Sequence, residues 1–248
     1  MQEDEVTVLT SFLLEPLHTA NGVLSRFSGL PGAVDAGDSP ERFVYVPGSR
    51  SNRVVLVAHA DTVWYGSKRV TSSLAFNDNE GYFYSDSIRY GLGADDRAGC
   101  AILWLMRHSG HSLLITDGEE QGLLGTESLL SWYPELSEEL NSHQFMIQFD
   151  RGNGQDFKCY GVGTPSFRRY VAEKTGYTEP NRHSRTDIVA LCRKIAGVNL
   201  SIGYRDEHTP NERLYVAEWL HTLAVCRQWL REPDLPRFVR RSEELRTY

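Results

Sequence analysis

The sequence predicts a three-layer α/β/α fold around a mixed, mostly parallel central sheet, and three observations carry that expectation. Short apolar runs alternate with helical patterns along the chain, the order that lays helices on both faces of a parallel sheet. Val54-Val55-Leu56-Val57 is a continuous apolar run, as expected of a central strand buried on both faces. Acidic and imidazole side chains follow directly on several of these runs, and in open α/β sheets ligands bind outside the carboxyl ends of the strands.

The elements follow in order. Asp4 to Thr19 reads as a helix with Val6, Leu9, Phe12, Leu13 and Leu17 on one face. Arg42 to Val46 and Arg53 to Ala58 read as strands. Ser73 to Ser85 holds Asn77-Asp78-Asn79-Glu80-Gly81 between β-prone residues, a hairpin signal. Asp96 to Arg107 is a helix with an acidic first turn. Strands at 112–116 and 145–149 flank a helix at 123–132. A strand at 156–160 and a helix at 165–174 follow. The pattern closes with a helix at 187–195, a strand at 198–204 and a long helix from Asn211 to Leu230. No repeat or interdomain linker interrupts it, so residues 1–248 are expected to form one domain.

Composition narrows the function classes. The 248 residues carry a formal net charge of -7, which disfavours nucleic acid or an anionic membrane as partner. No apolar stretch approaches membrane-spanning length. Cys100, Cys159, Cys192 and Cys226 lie far apart, which argues against a disulfide framework. The N-terminus lacks the pattern of a signal peptide, and the expected location is cytoplasmic.

Five stretches carry the chemistry: Val57 to Val63 with His59 and Asp61, Leu92 to Gly99 with Asp95 and Asp96, Thr116 to Gly122 with Glu119 and Glu120, Ile147 to Gly152 with Asp150, and Tyr204 to Pro210 with His208. Two histidines and four or more carboxylates form a ligand set suited to zinc-type ions. Two cations held roughly 3.5–4 Å apart need a bridging carboxylate and a bridging water. Asp95, in its glycine-flanked loop, is the expected bridge. His59 with Asp150 would complete one site, and His208 with Glu120 the other. Adjacent carboxylates at a strand end point in different directions, so Glu119 can face the water as general base while Glu120 binds metal. Asp61 is placed to orient the His59 ring.

The order His-x-Asp, Gly-Ala-Asp-Asp-Arg-Ala-Gly, Glu-Glu-x-Gly, Phe-Asp-Arg-Gly and late His resembles the co-catalytic zinc exopeptidase superfamily, which includes bacterial leucyl aminopeptidases, peptidase T-like tripeptidases and acetylornithine deacetylase-like amidohydrolases. The resemblance covers roughly residues 53 to 215. It implies a zinc-peptidase fold of the phosphorylase/hydrolase-like type and two divalent metal ions, most readily zinc. It also implies His59, Asp95, Glu120, Asp150 and His208 as ligands, Glu119 as base, and a cis peptide between Asp95 and Asp96. Many members insert a lid or dimerisation domain between the last aspartate and the last histidine. Here about sixty residues separate Asp150 from His208, so the chain resembles a single-domain, lidless member. An oxyanion-stabilising group would then come from this domain or a partner subunit, with Tyr204, Arg205 and His183 as candidates.

The resulting expectation is an aminopeptidase acting on small peptides, with a homo-oligomer left open. A deacylase of N-acyl amino acids is the rival enzyme, a pyroglutamate-forming cyclase a remoter one, and a degenerate binding scaffold the rival from another class. Blander roles compete at single positions. His108, His111, His143 and His221 read as structural, Asp96 and Asp187 as helix caps, and Asp117 as a loop residue. Trp64, Tyr160, Phe167 and Tyr170 read as pocket lining or, more simply, as core.

Overall fold

The computed structural model describes residues 4–64, 66, 73–181 and 186–240. The chain begins with α1 (Glu5–Leu13), capped by Asp4, whose carboxylate accepts the Thr7 N–H at 2.9 Å. The predicted helix to Thr19 stops at Leu13, because Pro16 cannot continue a helix and restricts the residue before it. Next come α2 (Asn21–Ser28), β1 (Val34–Ala36), β2 (Phe43–Val46) and β3 (Val55–His59). The hairpin β4 (Leu74–Asn77) and β5 (Tyr82–Ser85) forms where the turn signal stood.

Then follow α3 (Ala94–Leu105), β6 (Ser112–Thr116), α4 (Leu124–Trp132), α5 (Pro134–Leu140), β7 (Met146–Gln148) and β8 (Phe157–Lys158). A single turn of 3₁₀-helix at Tyr160–Val162 replaces the end of the strand expected at 156–160. The chain closes with α6 (Pro165–Thr175), α7 (Asp187–Leu191), β9 (Gly197–Leu200), β10 (Tyr204–Arg205), β11 (Arg213–Tyr215) and α8 (Val216–Leu230).

Among the described residues, the main sheet runs β1-β2-β6-β3-β7-β9-β8. The central pairs β6–β3, β3–β7 and β7–β9 are parallel, and the flanking pairs are antiparallel. Alternation along β3 explains the layers, since successive side chains point to opposite faces. Leu56 and Ala58 enter one core with residues of α1, α2, α3, α6 and α8, while Val55 and Val57 enter the other with Leu129, Leu140, Ile188 and Leu191. The three-layer α/β/α expectation is met.

Three local differences have physical causes. The strand expected at 198–204 is cut at Gly203, whose φ of 96° turns the chain, so β9 joins the main sheet and β10 a small antiparallel sheet β10-β11-β5-β4. The helix expected from Asn211 starts at Val216, because Arg213–Tyr215 pair with β5 instead. The helix from Asp187 ends at Leu191 because Asn141 takes over its backbone groups. The Asn141 carbonyl oxygen accepts from the Arg193 and Lys194 amides at 2.9 and 2.8 Å, and its amide donates to Leu191 O at 3.0 Å.

Two of the histidines read as structural are buried before the amino ends of β6 and β7, away from the carboxyl ends that bear the candidate site residues. His111 accepts the Val54 N–H at Nδ1 (3.2 Å) and contacts Leu230 O through Nε2 (3.0 Å). His143 contacts Glu139 O through Nδ1 at 2.8 Å and Ser112 Oγ through Nε2 at 2.8 Å. Burial pushes both down to about 4. A histidine whose folded pKa lies below its unfolded value contributes stability above the unfolded pKa and loses it as pH falls through the folded one. The expected outcome is therefore a loss of stability between roughly pH 6.5 and pH 4, of about 2–3 kcal/mol per histidine. Urea unfolding across that range checks this, and replacing both histidines by glutamine should flatten the slope.

Candidate metal centre

The candidate residues meet because β3, β6 and β7 are neighbours in parallel. His59 is the last residue of β3 and lies in register with Thr116, the last of β6, while Val57 aligns with Gln148, the last of β7. The chain leaves β3 for β6 on one side and then crosses to β7 on the other, so β3 is a switch point in strand order. His59, the Asp117–Glu120 turn and Asp150 therefore emerge together at one edge.

Asp95 and Asp96 arrive from the start of α3. Gly93 is left-handed (φ 69°), Asp95 and Asp96 are non-helical, and the peptide between the two aspartates is cis, as the resemblance implies. The Asp96 carboxylate is fully buried. One oxygen accepts the Gly99 N–H at 3.0 Å and the other the His59 N–H at 3.2 Å. Asp96 thus caps the helix and fastens it to the end of β3. Gly99 is required there, because a Cβ would lie 2.2 Å from Asp96 Oδ1 and 2.3 Å from Phe149 O.

The distances divide the cluster in two. Asp95 Oδ1 lies 3.1 Å from His59 Nε2, and Asp95 Oδ2 lies 3.0 Å from His208 Nε2. The same His59 nitrogen is 3.6 Å from Asp150 Oδ1, and the same His208 nitrogen is 2.8 Å from Glu120 Oε1. Ligand atoms of His59, Asp95 and Glu120, and of His59, Asp96 and Asp150, converge to within 4.8 Å of one another. Asp96 is the less available carboxylate, since both of its oxygens already accept backbone N–H groups.

The supporting contacts are dense. Asp61 Oδ1 lies 3.3 Å from His59 Nδ1 and accepts the Glu119 N–H at 3.1 Å, while Oδ2 accepts the Glu120 N–H at 3.2 Å. One buried carboxylate therefore sets both an imidazole and the turn bearing the two glutamates. Asp150 accepts from Thr186 Oγ1 at 2.7 Å, Gln148 Nε2 at 2.9 Å and the Tyr204 hydroxyl at 3.2 Å. Its backbone N–H donates to Asn199 Oδ1 at 2.9 Å.

Some candidates sit elsewhere. Arg205 turns away to Glu218 Oε1 at 2.8 Å. His183 lies outside the described residues. Asp117 accepts from Ser39 Oγ at 2.6 Å and the Gly118 N–H, which agrees with a loop role. Asp187 does not cap α7, since its buried carboxylate accepts from Thr116 Oγ1 at 2.7 Å and Thr126 Oγ1 at 2.6 Å. Phe167 and Tyr170 belong to an aromatic cluster with Phe145, Trp229 and Phe238. Trp64 meets Tyr90 edge-on at 5.6 Å. Glu212, which had no local signal, accepts the Gly93 and Asp95 amides at 2.6 and 3.0 Å.

The electrostatics ask for cations. Among the described residues no arginine or lysine forms an ion pair with Asp95, Glu119, Glu120 or Asp150. Burial drives the Glu120 and Asp150 carboxyls up. Burial and then the carboxylates of Asp150, Asp187 and Asp95, opposed by His59, push Glu119 up to about 10. Burial opposes charge on His59, but the Asp150, Asp61 and Asp95 carboxylates outweigh it and hold the imidazole well above its ordinary range. Hydrogen bonds to Asp95 and Glu120 raise His208 to about 11 against burial. Burial likewise works against Asp95, yet the two imidazoles hold its carboxyl well below the usual range. Nitrogen and oxygen donors of this kind, crowded without fixed positive charge, fit divalent metal ions.

Comparison with known proteins agrees. A family model described as peptidase family M28 matches residues 43–190. No curated protein matches the sequence. Among solved structures, the fold is similar to that of aminopeptidase PepT from Bacillus cereus (TM-score 0.66, 15% identity, 93% of this chain and 98% of that chain covered). It is also similar to a tripeptidase from Staphylococcus aureus (TM-score 0.65, 15% identity, 94% and 100% covered). A third is the TET1 peptidase from Pyrococcus horikoshii, described as assembling into a tetrahedron or a large octahedral shell (TM-score 0.61, 14% identity, 90% and 98% covered). These structures share the α/β fold, and the family match spans more than half of the sequence. The chain belongs to peptidase family M28, a family of metal-dependent peptide hydrolases.

Proposed function

We propose that this peptidase is a two-zinc exopeptidase of the aminopeptidase type that acts on small peptides. The observation that carries the reading is the Asp95 carboxylate, which offers one oxygen toward each of two imidazoles at 3.1 and 3.0 Å. In this reading Asp95 would hold the two ions together with His59 and Asp150 on one side and His208 and Glu120 on the other. Bound zinc supplies Lewis acidity toward the scissile carbonyl and lowers the pKa of water.

The chain's own residues do the rest. Glu119, ionised once bound cations offset the burial and the neighbouring carboxylates that otherwise keep it protonated, accepts the proton of the attacking water on its carboxylate and returns it to the nitrogen of the leaving amine. Asp61 keeps the His59 ring and the Glu119–Glu120 turn in register through the contacts described above. Of the oxyanion candidates Tyr204 lies at the site, where its hydroxyl donates to Asp150 Oδ1, and acting as oxyanion donor would require it to release that contact.

The reading treats residues 1–248 as one catalytic domain without a lid. Its support is that Phe83 and Leu214 of the small sheet share a buried core with Ile147 of the main sheet. Four buried free cysteines fit a reducing environment, and among the described residues no helix is long and apolar enough to cross a membrane. The TET1 assembly makes self-association an outcome to be read by light scattering.

The test is metal content and hydrolysis for wild type and Glu119→Gln on free-amine di- and tripeptides and on N-acetyl amino acids. Wild type is expected to hold two ions and to cleave free-amine peptides. Glu119→Gln should keep both ions and lose about 10²–10⁴-fold in kcat. Cleavage of the N-acetyl substrates alone would establish the deacylase instead. Full activity in Glu119→Gln would eliminate the proposed base, and a wild type with neither metal nor activity would be a scaffold. A second expectation concerns Asp61→Asn, whose amide group cannot accept from both Glu119 and Glu120. It should weaken zinc binding about 10–100-fold, read by zinc titration of the metal-free protein.

A further inference from the structure

We propose that Glu212 is a positioning residue, a clamp that fastens the loop carrying Asp95 to the segment carrying His208. The inference rests on the two-metal reading for its effect on zinc, though not for the clamp itself. Glu212 is 1% exposed, and a buried carboxylate is costly unless donors surround it. Its donors are backbone amides from one tight turn. Oε2 accepts the Gly93 N–H at 2.6 Å and Oε1 the Asp95 N–H at 3.0 Å. With Gly93 left-handed and Asp95 extended, the turn wraps its N–H groups around the carboxylate as a backbone anion nest does. The amide of the proposed bridging residue is itself one of the two anchors.

The other end of the clamp is short and tightly wound. Thr209 Oγ1 donates to Asp206 O at 2.7 Å and accepts the Asn211 N–H at 3.2 Å, and the Glu212 N–H donates to Thr209 O at 3.2 Å. Asp206 and His208 both have positive φ, 56° and 63°, a left-handed conformation uncommon for non-glycine residues, although Asp and His enter it more readily than most. His208 has a half-exposed side chain, so packing alone does not fix its ring. Glu212, four residues on, supplies the fixed point.

Gly91 makes the same contact from the opposite side. A Cβ there would sit 2.5 Å from Thr209 O and 2.8 Å from Glu212 Oε2, so the two segments touch only because this residue is glycine. Glu212 and Gly91 are therefore two independent handles on one junction. Changing the first removes the acceptors, and changing the second separates the segments with the carboxylate intact.

The experiment combines amide hydrogen exchange of the metal-free protein with zinc titration, for wild type, Glu212→Gln, Glu212→Asp and Gly91→Ala. Glutamine keeps one acceptor and presents an N–H to the other amide. Glu212→Gln is expected to speed exchange at Gly93 and Asp95 by about tenfold or more, with the amides of β3 and β6 unchanged. In the titration the weaker of two zinc sites should lose about 10–100-fold in affinity. Glu212→Asp should fall between wild type and Glu212→Gln, and Gly91→Ala should weaken zinc in the same way. If Glu212→Gln does not fold, Glu212→Asp and Gly91→Ala decide by the same readouts. Unchanged exchange at Gly93 and Asp95, or acceleration spread evenly over β3 and β6, overturns the clamp. A wild type that binds no zinc overturns the two-metal reading, while the exchange data still decide the clamp.

Discussion

The site depends on one carboxylate shared between two imidazoles. Asp95 sits where Asp61, Asp96 and Asp187 are buried as well and Asp150 is nearly so, and where ionised carboxylates repel each other at low dielectric. Taking such groups out of water costs several kcal/mol each unless charge or donors compensate. The protein compensates most of them with backbone and hydroxyl donors. Asp95 alone faces imidazole nitrogen with both oxygens. Positive charge belongs on that line, whether carried by protons on the histidines or by metal ions.

The scaffold serves this arrangement by fixing everything around it. His59, Asp61, the glutamate turn and Asp150 all follow strands whose side chains are fully buried, so their backbone positions inherit the rigidity of the packed sheet. Asp61 is economical in this respect. A single carboxylate holds the imidazole from behind and the two glutamate amides from below, so displacing it would move proposed ligand and proposed base together. Asp96 does the same for helix and strand, joining the first turn of α3 to His59.

Much of this is legible in the sequence because it is local. A continuous apolar run such as Val54–Val57 identifies a doubly buried strand wherever it occurs, and the residue after it has a predictable place at the sheet edge. The spacing His59-x-Asp61 and the pair Glu119-Glu120 keep their meaning within one turn of chain. What escapes is set by distant partners. β11 takes Arg213–Tyr215 out of a helical pattern because β5 offers backbone pairing, and Asn141 ends α7 from the far end of α5. The elements α2, β1 and α5 lie outside the sequence expectation because they are short: α2 buries Val23, Leu24 and Phe27 on one face, but its 8 residues are too few for periodicity to identify a helix. Glu212 is invisible for the same reason. As one of 33 acidic residues it acquires its role only when the Asp95 loop folds over it, more than a hundred positions away.

The site therefore has two halves of different kind. One is built on strand ends, where the sheet and the buried Asp61 carboxylate fix it. The other is the loop between β10 and β11, with two residues in left-handed conformation and a histidine half in solvent, and the pairing of those two strands holds it only at its ends. A loop can present a ligand accurately only if something rigid holds it close to that ligand, since each unconstrained residue contributes conformational freedom that binding must remove. The nearest rigid feature is the turn at Gly93–Asp95, itself fastened to β3 through Asp96. Tying the loop to that turn makes the bridging carboxylate and the last histidine move as one body. The accuracy of the half built on the main sheet is thereby passed to a loop that its own two strands hold only at the ends.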